Sequence, residues 1–193
     1  ETKQVINQSE AKAIVVLDVF ADKIEQIFDQ TTLQHVIVTR PTDLFHGARR
    51  HLINAGIAVK RMVPKYSLPQ AVSLRDALAN GADLQHVRPE AGPDDVALLQ
   101  FTGGTTGTPK GAMLTHSNLI SNGQMMMSWM ELVLDEGGET VLAALPLYHV
   151  FCMTVNCMCF FAYGLHNVLV TNPREVDALA KTMVRVRGSY ALE

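Results

Sequence analysis

Short apolar runs and amphipathic stretches alternate along the chain, and this alternation predicts alternating strands and helices. Ala13–Leu17 and His35–Thr39 are apolar runs rich in β-branched residues, and between them apolar residues recur at helical spacing from Phe20 to Phe28. A strand, helix, strand unit requires a right-handed crossover, which makes its two strands parallel. We therefore expect an α/β fold with a mostly parallel sheet flanked by helices.

Residues 41–93 are less regular, because prolines interrupt them at five positions. The pattern predicts a surface excursion with two short helices, one of them near residues 73–80. Basic residues are frequent here, and we interpret them as a solvated face, with a lipid or phosphate site as the alternative. They are Arg49, Arg50, Lys60, Arg61 and Lys65.

The second half of the chain predicts a further series of strands and helices. The expected strands are a buried strand at 96–101, a short apolar piece at 112–115, and strands at 140–144 and 166–170. Helices are expected after Thr115 or Ser117, either of which can cap a helix, after His149, and from Arg174. Residues 186–191 do not have the pattern of a strand.

Several side chains of this half are expected to be buried. One face of the helix after Thr115 carries apolar residues interpreted as core filling, namely Leu119, Ile120, Gly123, Met126, Met127 and Met130. The aromatic residues assigned to the core are Trp129, Phe160 and Phe161. The cysteines fit neither a disulfide framework nor a CxxC metal pair, so we interpret them as buried reduced thiols in a cytoplasmic setting: Cys152, Cys157 and Cys159.

Composition narrows the class of protein. The 193 residues are 48% hydrophobic and 18% charged, with a formal net charge of -3, which is typical of a soluble globular protein and excludes disorder. This balance gives no field strong enough to hold a polyanion, so nucleic acid is not expected as the main partner. The stretch from 140 to 173 lacks acids and strong bases, but Pro146, His149 and Gly164 interrupt it, so we interpret it as buried α/β core rather than a membrane span.

The segment from Thr102 to Gly111 reads TGGTTGTPKG and carries the clearest chemical signal. Its glycines permit backbone conformations in which successive amide N–H groups point into one concavity. Threonine hydroxyls and one lysine surround that concavity, which is what a polyphosphate requires: many donors, one cation and little side-chain bulk. A Walker loop would end in Gly-Lys-Ser/Thr, whereas here Pro109 precedes Lys110, so a Walker-type phosphotransferase is disfavoured.

Charge distribution supports an anion-binding loop. Between Arg88 and Arg174 the only lysine or arginine is Lys110, while seven acidic residues occur in that interval. An isolated cation after a glycine-rich loop is expected to have an anionic partner. The alternative is a flexible hairpin turn with a solvated lysine.

These residues resemble the phosphate loop of the adenylate-forming enzymes, which include acyl-CoA synthetases, luciferases and peptide adenylation domains. The LPLYH segment at 145–149 resembles the next motif of that superfamily. Together with RMVPKY at 61–66, GAMLTH at 111–116 and VTNPR at 170–174, it makes the bacterial long-chain fatty-acid–CoA ligases the nearest likeness. The likeness extends over roughly residues 5–183.

The resemblance implies the N-terminal part of the acyl-CoA synthetase fold and a two-step reaction. A fatty acid and ATP give an acyl-adenylate and pyrophosphate, and coenzyme A then displaces AMP. Residues implied in nucleotide binding are Phe101, Thr102, Gly103, Gly104, Thr105, Thr106, Gly107, Thr108, Lys110 and Gly111. Residues implied at the acyl entrance are Tyr148, His149, Val150, Phe151 and Met153. Lys110 and His149 are the implied catalytic residues, and Mg²⁺ is the implied metal, with no protein ligand identified.

Within the motif, His149 is assigned to positioning rather than to general base catalysis. A fatty acid is already ionised at neutral pH and has no proton to lose. The structural alternative is a histidine that caps the next helix or lies satisfied in the core. His116 and His166 are expected at a helix start and a strand edge, outside the site.

Residues 1–193 are expected to form an incomplete N-terminal AMP-binding domain, because the later motifs of the family and its mobile C-terminal domain do not occur in them. The expected small-molecule partners are fatty acid, ATP and CoA. Peripheral contact with the inner membrane, a homodimer, a ligase for another acid class, and a nucleotide-binding or self-associating module without turnover stay open at this point.

Overall fold

The computed structural model describes residues 1–102, 109–170, 172–186 and 190–192. It divides the chain into two compact units. Unit 1 comprises Glu1–Glu90 and Phe101–Ala112, and unit 2 comprises Ala91–Gln100 and Met113–Glu193. The α/β fold with parallel sheets expected from the sequence is confirmed.

Unit 1 is built on a parallel sheet. Its strands have the order β1-β2-β3, and Ala13 lies opposite His35 while Val36 lies opposite Ala71. Its elements are α1 (Thr2–Gln8), β1 (Ala13–Leu17), a 3₁₀ turn (Asp18–Phe20), α2 (Ala21–Glu25), a 3₁₀ turn (Phe28–Gln30), β2 (His35–Thr39), α3 (Gly47–Val59), β3 (Ala71–Ser73) and α4 (Leu74–Gly81).

The helix expected from residue 20 to 28 is divided into a short α-helix between two 3₁₀ turns. No side chain caps α2 at Phe20 or the second turn at Ile27, so neither boundary is stabilised as a helix start. In contrast, α4 lies where the sequence predicts it, because the Ser73 hydroxyl accepts a hydrogen bond from the backbone N–H of Asp76 at 3.1 Å. The other predicted helix of this region, α3, is longer than expected at 13 residues.

Strands β4 (Val96–Thr102) and β5 (Lys110–Thr115) pair with each other in a two-stranded sheet. The expectation that residues 96–101 form a buried strand is wrong with respect to burial: Val96 is exposed and the middle of the strand is only half-buried. Apolar content predicted the strand correctly, but burial depends on what covers it. Within the described residues, β4 has only β5 as a strand partner.

Unit 2 contains a second parallel sheet, with the order β7-β6-β8. Its remaining elements are α5 (His116–Met130), β6 (Thr140–Ala143), α6 (Val150–Cys152), a π-helix (Met153–Phe160), β7 (His166–Leu169), α7 (Val176–Val186) and β8 (Tyr190–Leu192). The sequence did not predict β8. Three residues are too few for a strand pattern, and pairing with β6, with Val141 opposite Tyr190, forms this strand.

A capping box begins α5. The hydroxyl of Thr115 accepts a hydrogen bond from the backbone N–H of Asn118, and the Asn118 side chain accepts one from the backbone N–H of Thr115, both at 3.1 Å. Thr115, rather than Ser117, is therefore the cap. His116 starts α5 and His166 starts β7, as expected.

Most of the buried apolar residues belong to two clusters, one in each unit. The cluster of unit 1 consists of Ile6, Ala21, Ile24, Leu33, Val36, Val38 and Leu68. The cluster of unit 2 consists of Leu134, Val141, Val155, Phe160 and Leu165. Strand β6 lies at the centre of the second sheet, and Val141, Leu142 and Ala143 are buried there. The buried-core interpretation of residues 140–173 therefore holds for β6 and part of the π-helix, while residues 146–151 are exposed. Among the described residues, none of the helices has the length and apolar character of a membrane span.

Several burial expectations for unit 2 are corrected by the structure. Phe160 is buried, but Phe161 is 75% exposed and Trp129 is 78% exposed. The two phenylalanines differ because adjacent helical residues point in different directions, and Phe160 faces β6. On α5, Met126 and Met130 pack against the unit 2 cluster, whereas Ile120 is exposed.

Substitution of the adjacent phenylalanines tests this assignment. Phe160→Ala removes a buried ring and is expected to lower the free energy of unfolding by about 3–5 kcal/mol. Phe161→Ala, the matched control, is expected to change it by less than about 0.5 kcal/mol. Urea denaturation followed by circular dichroism measures both, and equal midpoint shifts for the two variants would contradict the packing described.

Candidate functional site

The candidate phosphate loop lies between the paired strands β4 and β5. Residues Gly103, Gly104, Thr105, Thr106, Gly107 and Thr108 lie outside the described residues. The structure does describe the two strand ends that hold them. Thr102 ends β4 and Lys110 begins β5, so a strand hairpin fixes both ends of the loop.

Two contacts fasten the base of this loop. The Thr102 hydroxyl donates a hydrogen bond to the backbone carbonyl of Lys110 at 3.5 Å. The Phe101 ring lies against Gly111 so closely that a Cβ atom built on that glycine would be 3.1 Å from Cζ of the ring. Gly111 is therefore needed for close approach of an aromatic ring to the backbone. Phe101 supports the hairpin here, and its role toward a nucleotide stays a prediction.

Lys110 is exposed at the end of the loop. Within the part of the chain that the structure describes, the ion pairs join Arg40 to Asp18 and Arg50 to Asp43, and none joins Lys110 to a carboxylate. Lys110 is therefore an exposed cation at the end of the candidate loop.

His149 precedes α6 in unit 2 and caps it. Its Nδ1 atom accepts a hydrogen bond from the backbone N–H of Phe151 at 3.3 Å. The capping alternative foreseen from the sequence is therefore observed. It leaves a site role open, because an imidazole whose Nδ1 accepts a hydrogen bond carries its proton on Nε2 when neutral, and can donate from there. His149 is exposed, so that donor is accessible.

The neighbours of His149 present an apolar, exposed surface. Tyr148 is 83% exposed, Val150 and Phe151 are also exposed, and Met153 is half-buried. All these residues belong to the turn that joins β6 to α6 and to the start of the helical segment. These residues are consecutive or nearly so in the sequence, and their role at an acyl entrance stays a prediction.

The cysteines of unit 2 are all free, but the expectation that all three are buried is wrong for Cys157, which is exposed. Burial raises the pKa of the Cys152 thiol, and the nearby Cys157 raises that pKa further. Burial also raises the pKa of the Cys159 thiol. Among the described residues, no group of three or more His, Cys, Asp or Glu side chains could hold a metal ion.

The structure contains cavities that the sequence did not indicate. In unit 1, a cavity of about 640 Å³ is lined by Asp18, Arg40, Arg61 and Lys65 among others. Asp18 is buried, its Oδ1 atom has no hydrogen-bond partner among the described residues, and its Oδ2 atom lies 3.5 Å from Nε of Arg40. Asp18 directly follows β1 and Arg40 directly follows β2, so their position at the carboxyl ends of parallel strands was the signal available in the sequence.

A second cavity, of about 510 Å³, lies between α5 and the π-helix in unit 2. Leu119, Gly123 and Met127 line it on one side, and Met158 and Cys159 line it on the other. The predicted apolar face of α5 therefore borders open space along part of its length. Of the apolar residues on this face, Met126 and Met130 are the ones that pack against the unit 2 cluster.

Substitution of Gly111 tests the support of the loop. Gly111→Ala places a methyl group against the Phe101 ring and is expected to lower the free energy of unfolding by about 1–3 kcal/mol through overpacking. Gly56→Ala, inside α3, is the control: nothing lies within 4 Å of the added carbon, so it is expected to raise stability by up to about 1 kcal/mol. Denaturant titration measures both, and a neutral Gly111→Ala would show that the ring yields freely.

Alkylation tests the burial of the cysteines. The thiolate is the nucleophile, so an exposed thiol should react before buried thiols whose pKa is raised. Iodoacetamide at about pH 8 is expected to modify Cys157 well before Cys152 and Cys159, with peptide mass spectrometry as the measurement. In denaturant all three should react at similar rates. Preferential labelling of Cys152 under native conditions would contradict the structure.

Comparison with known proteins agrees with the fold and the motifs. The family model of the AMP-binding enzymes matches residues 1–190. Two similar curated proteins are long-chain-fatty-acid–CoA ligases, from Escherichia coli O157:H7 (46% identity over 96% of this chain) and Haemophilus influenzae (44% over 94%). This chain spans about a third of the length of each, 33% in both cases.

A solved structure extends this comparison. The crystal structure of a long-chain-fatty-acid–CoA ligase from Archaeoglobus fulgidus matches 98% of this chain and 31% of its own chain, with a TM-score of 0.63 and 21% identity. At that identity the match supports the fold alone. The similarity to long-chain fatty-acid–CoA ligases inferred from the motifs is confirmed, and because the family model spans nearly the whole sequence, the chain belongs to the AMP-binding enzyme family.

Proposed function

We propose that this chain is the N-terminal part of a longer ATP-dependent long-chain fatty-acid–CoA ligase. The observation that carries the proposal is sequence similarity to such ligases over nearly the entire chain. Two further observations support it. Lys110 offers a cation for the phosphates of ATP, and the exposed His149 segment offers a hydrogen-bond donor and apolar side chains for the fatty acid.

The nucleotide is held by the loop between β4 and β5. Backbone N–H groups and threonine hydroxyls from 102 to 108 donate hydrogen bonds to the β- and γ-phosphates, and Lys110 supplies the cation. The hairpin contacts of Thr102 and Phe101 support this role, because a donor array is effective only when it is fixed before the charge develops.

The fatty acid is positioned by the segment that carries His149. The carboxylate lies at the imidazole, which donates a hydrogen bond from Nε2, and the alkyl chain enters beside Tyr148, Val150, Phe151 and Met153. The hydrogen bond from the Phe151 N–H to Nδ1 supports this assignment by fixing the tautomer. Because the acid is already ionised, the imidazole orients it and removes no proton.

In the first step a carboxylate oxygen attacks the α-phosphorus of ATP, and the bond from that phosphorus to the bridging oxygen breaks to release pyrophosphate. In the second step the thiol of CoA attacks the acyl carbon, loses its proton to solvent, and displaces AMP. The first step brings two anions together. Lys110 and the loop amides stabilise the negative charge of the phosphates, which reduces their repulsion of the attacking carboxylate.

Magnesium fits this site as an ion held mainly by substrate phosphates, since Mg²⁺ in such sites needs only one or two protein oxygens. When bound it neutralises phosphate charge. The loop threonines are the proposed protein contacts. We also place the enzyme in the cytoplasm, which three free cysteines support.

Pyrophosphate exchange in the full-length protein tests the function. With ATP and a long-chain acid such as palmitate, exchange of labelled pyrophosphate into ATP is expected, with AMP rather than ADP as the nucleotide product. Lys110→Ala should reduce exchange about 100-fold and Thr106→Ala about 10-fold, because each removes a phosphate contact. Lys181→Ala, an exposed lysine of α7, is the matched control.

The outcomes separate the alternatives. No exchange with any acid, together with saturable ATP binding, would overturn the ligase proposal in favour of a binding module. Exchange that is strong with short or aromatic acids and absent with long-chain acids would change the acid class alone. Release of ADP would indicate phosphotransfer.

A further inference from the structure

A chain of polar contacts lies behind the His149 segment in unit 2. Its central residue is Asn156, which belongs to the π-helix and is only 2% exposed. A buried amide is costly unless its donors and acceptors are satisfied. The π-helical geometry, which is uncommon and often occurs at functional sites, is itself a reason to ask what this amide does.

Asn156 is joined to β7 by a reciprocal pair of hydrogen bonds. Its Nδ2 group donates to Oδ1 of Asn167 at 2.8 Å, and Nδ2 of Asn167 donates to the backbone carbonyl of Asn156 at 3.3 Å. A carbonyl only accepts, so the second bond fixes which way the Asn167 amide is turned. That orientation in turn requires the Nδ2 group of Asn156 to face Asn167, and it directs Oδ1 of Asn156 away from β7.

The Oδ1 atom of Asn156 accepts a hydrogen bond from the thiol of Cys152. The Sγ atom lies 3.2 Å from Oδ1 of Asn156 and 3.2 Å from the backbone carbonyl oxygen of Leu145, and Cys152 is 1% exposed. The thiol has one proton, which these two acceptor oxygens share, so the proton remains on the sulfur. Burial, which raises the pKa of Cys152, favours the same protonated form.

The Leu145 carbonyl is where this chain reaches the candidate site. Leu145 begins the turn that leaves β6 and ends at His149. At the other end of the turn, the N–H of His149 donates to the carbonyl of Pro146 at 2.9 Å, and the N–H of Met153 donates to the carbonyl of His149 at 2.9 Å. The turn is therefore fixed at its start by the thiol and at its end by the helix cap.

Open space borders the middle of this turn on one side. A cavity of about 250 Å³ lies beside Leu147, and Asn156 and Asn167 line it. On this side of the turn the polar contacts provide the support that packing does not.

We propose that Cys152, Asn156 and Asn167 are positioning residues that hold the Leu145–His149 turn, and with it the His149 imidazole, in register with the acid carboxylate. The proposal rests on the ligase function proposed above. Asn167 lies on β7 and binds Asn156, and Asn156 accepts a hydrogen bond from the Cys152 thiol. The same thiol also contacts the Leu145 carbonyl at the start of the turn. In this proposal each of the three side chains acts through His149.

Variants of the full-length ligase test this role. Cys152→Ala removes the proton donor, and Asn156→Ala removes the central amide. Each is expected to lower kcat/KM for palmitate in pyrophosphate exchange about 10- to 100-fold, since small displacements of a positioning group have effects of that size. KM for ATP should change less than about twofold, because the phosphate loop is not part of this network. Cys152→Ser retains an O–H donor and should restore most of the activity.

Two cysteine variants are matched controls. Cys159→Ala removes another buried thiol, and Cys157→Ala removes the exposed neighbour of Asn156. Both are expected to leave kcat/KM for palmitate within about twofold of the original protein. Thermal melting of every variant identifies any loss of folding, and if Asn156→Ala does not fold, the comparison of Cys152→Ala with Cys152→Ser decides the question.

A double-mutant cycle distinguishes positioning from general stability. If Cys152 acts through His149, adding Cys152→Ala to His149→Ala should produce no further loss of kcat/KM. Additive losses, or equal effects of Cys152→Ala and Cys159→Ala, would overturn the network while leaving the ligase function intact. If the original protein shows no exchange with any acid, the proposed function fails, and this inference fails with it.

Discussion

Burial of strand β6 is the constraint on which the rest of unit 2 depends. Its residues Val141, Leu142 and Ala143 are enclosed between β7 and β8 and under Phe160, so the strand has little freedom to shift. The position and direction of the segment that follows β6 are therefore fixed where it leaves the strand. The ladder ends at Ala143, and Leu145 follows two residues later, so the buried strand determines where the turn to His149 starts.

The two halves of the candidate chemistry rely on different kinds of support. The two strand ends that flank the candidate phosphate loop are supported by an aromatic ring packed on Gly111. The His149 turn is held by hydrogen bonds to a buried thiol and a helix cap. Phosphate binding needs many backbone donors and tolerates little bulk, whereas orienting one carboxylate needs a single side chain at a defined angle. A hairpin suits a loop of backbone donors, and a hydrogen-bonded turn suits a single oriented side chain.

The sequence predicted local features well and long-range packing poorly. Strands β1 and β2 followed from β-branched runs, and α5 followed from its capping residue. The exposure of Phe161, Trp129 and β4 could not be read from residue type, because it depends on what lies opposite each side chain. Likewise β8 is a strand only because β6 is there to pair with it. The network of Cys152, Asn156 and Asn167 joins residues on separate elements, and no spacing rule reveals it.

The difference in exposure among the cysteines has a consequence for oxidative chemistry. Oxidation to sulfenic acid begins at accessible thiolates, so we expect Cys157 to be oxidised first. Cys152, sealed from solvent and held protonated between two oxygens, is protected by the same contacts that use its proton. A peroxide that reaches this segment would thus react with Cys157, which takes no part in the network. The hydrogen bond from Cys152 to the Leu145 carbonyl would remain.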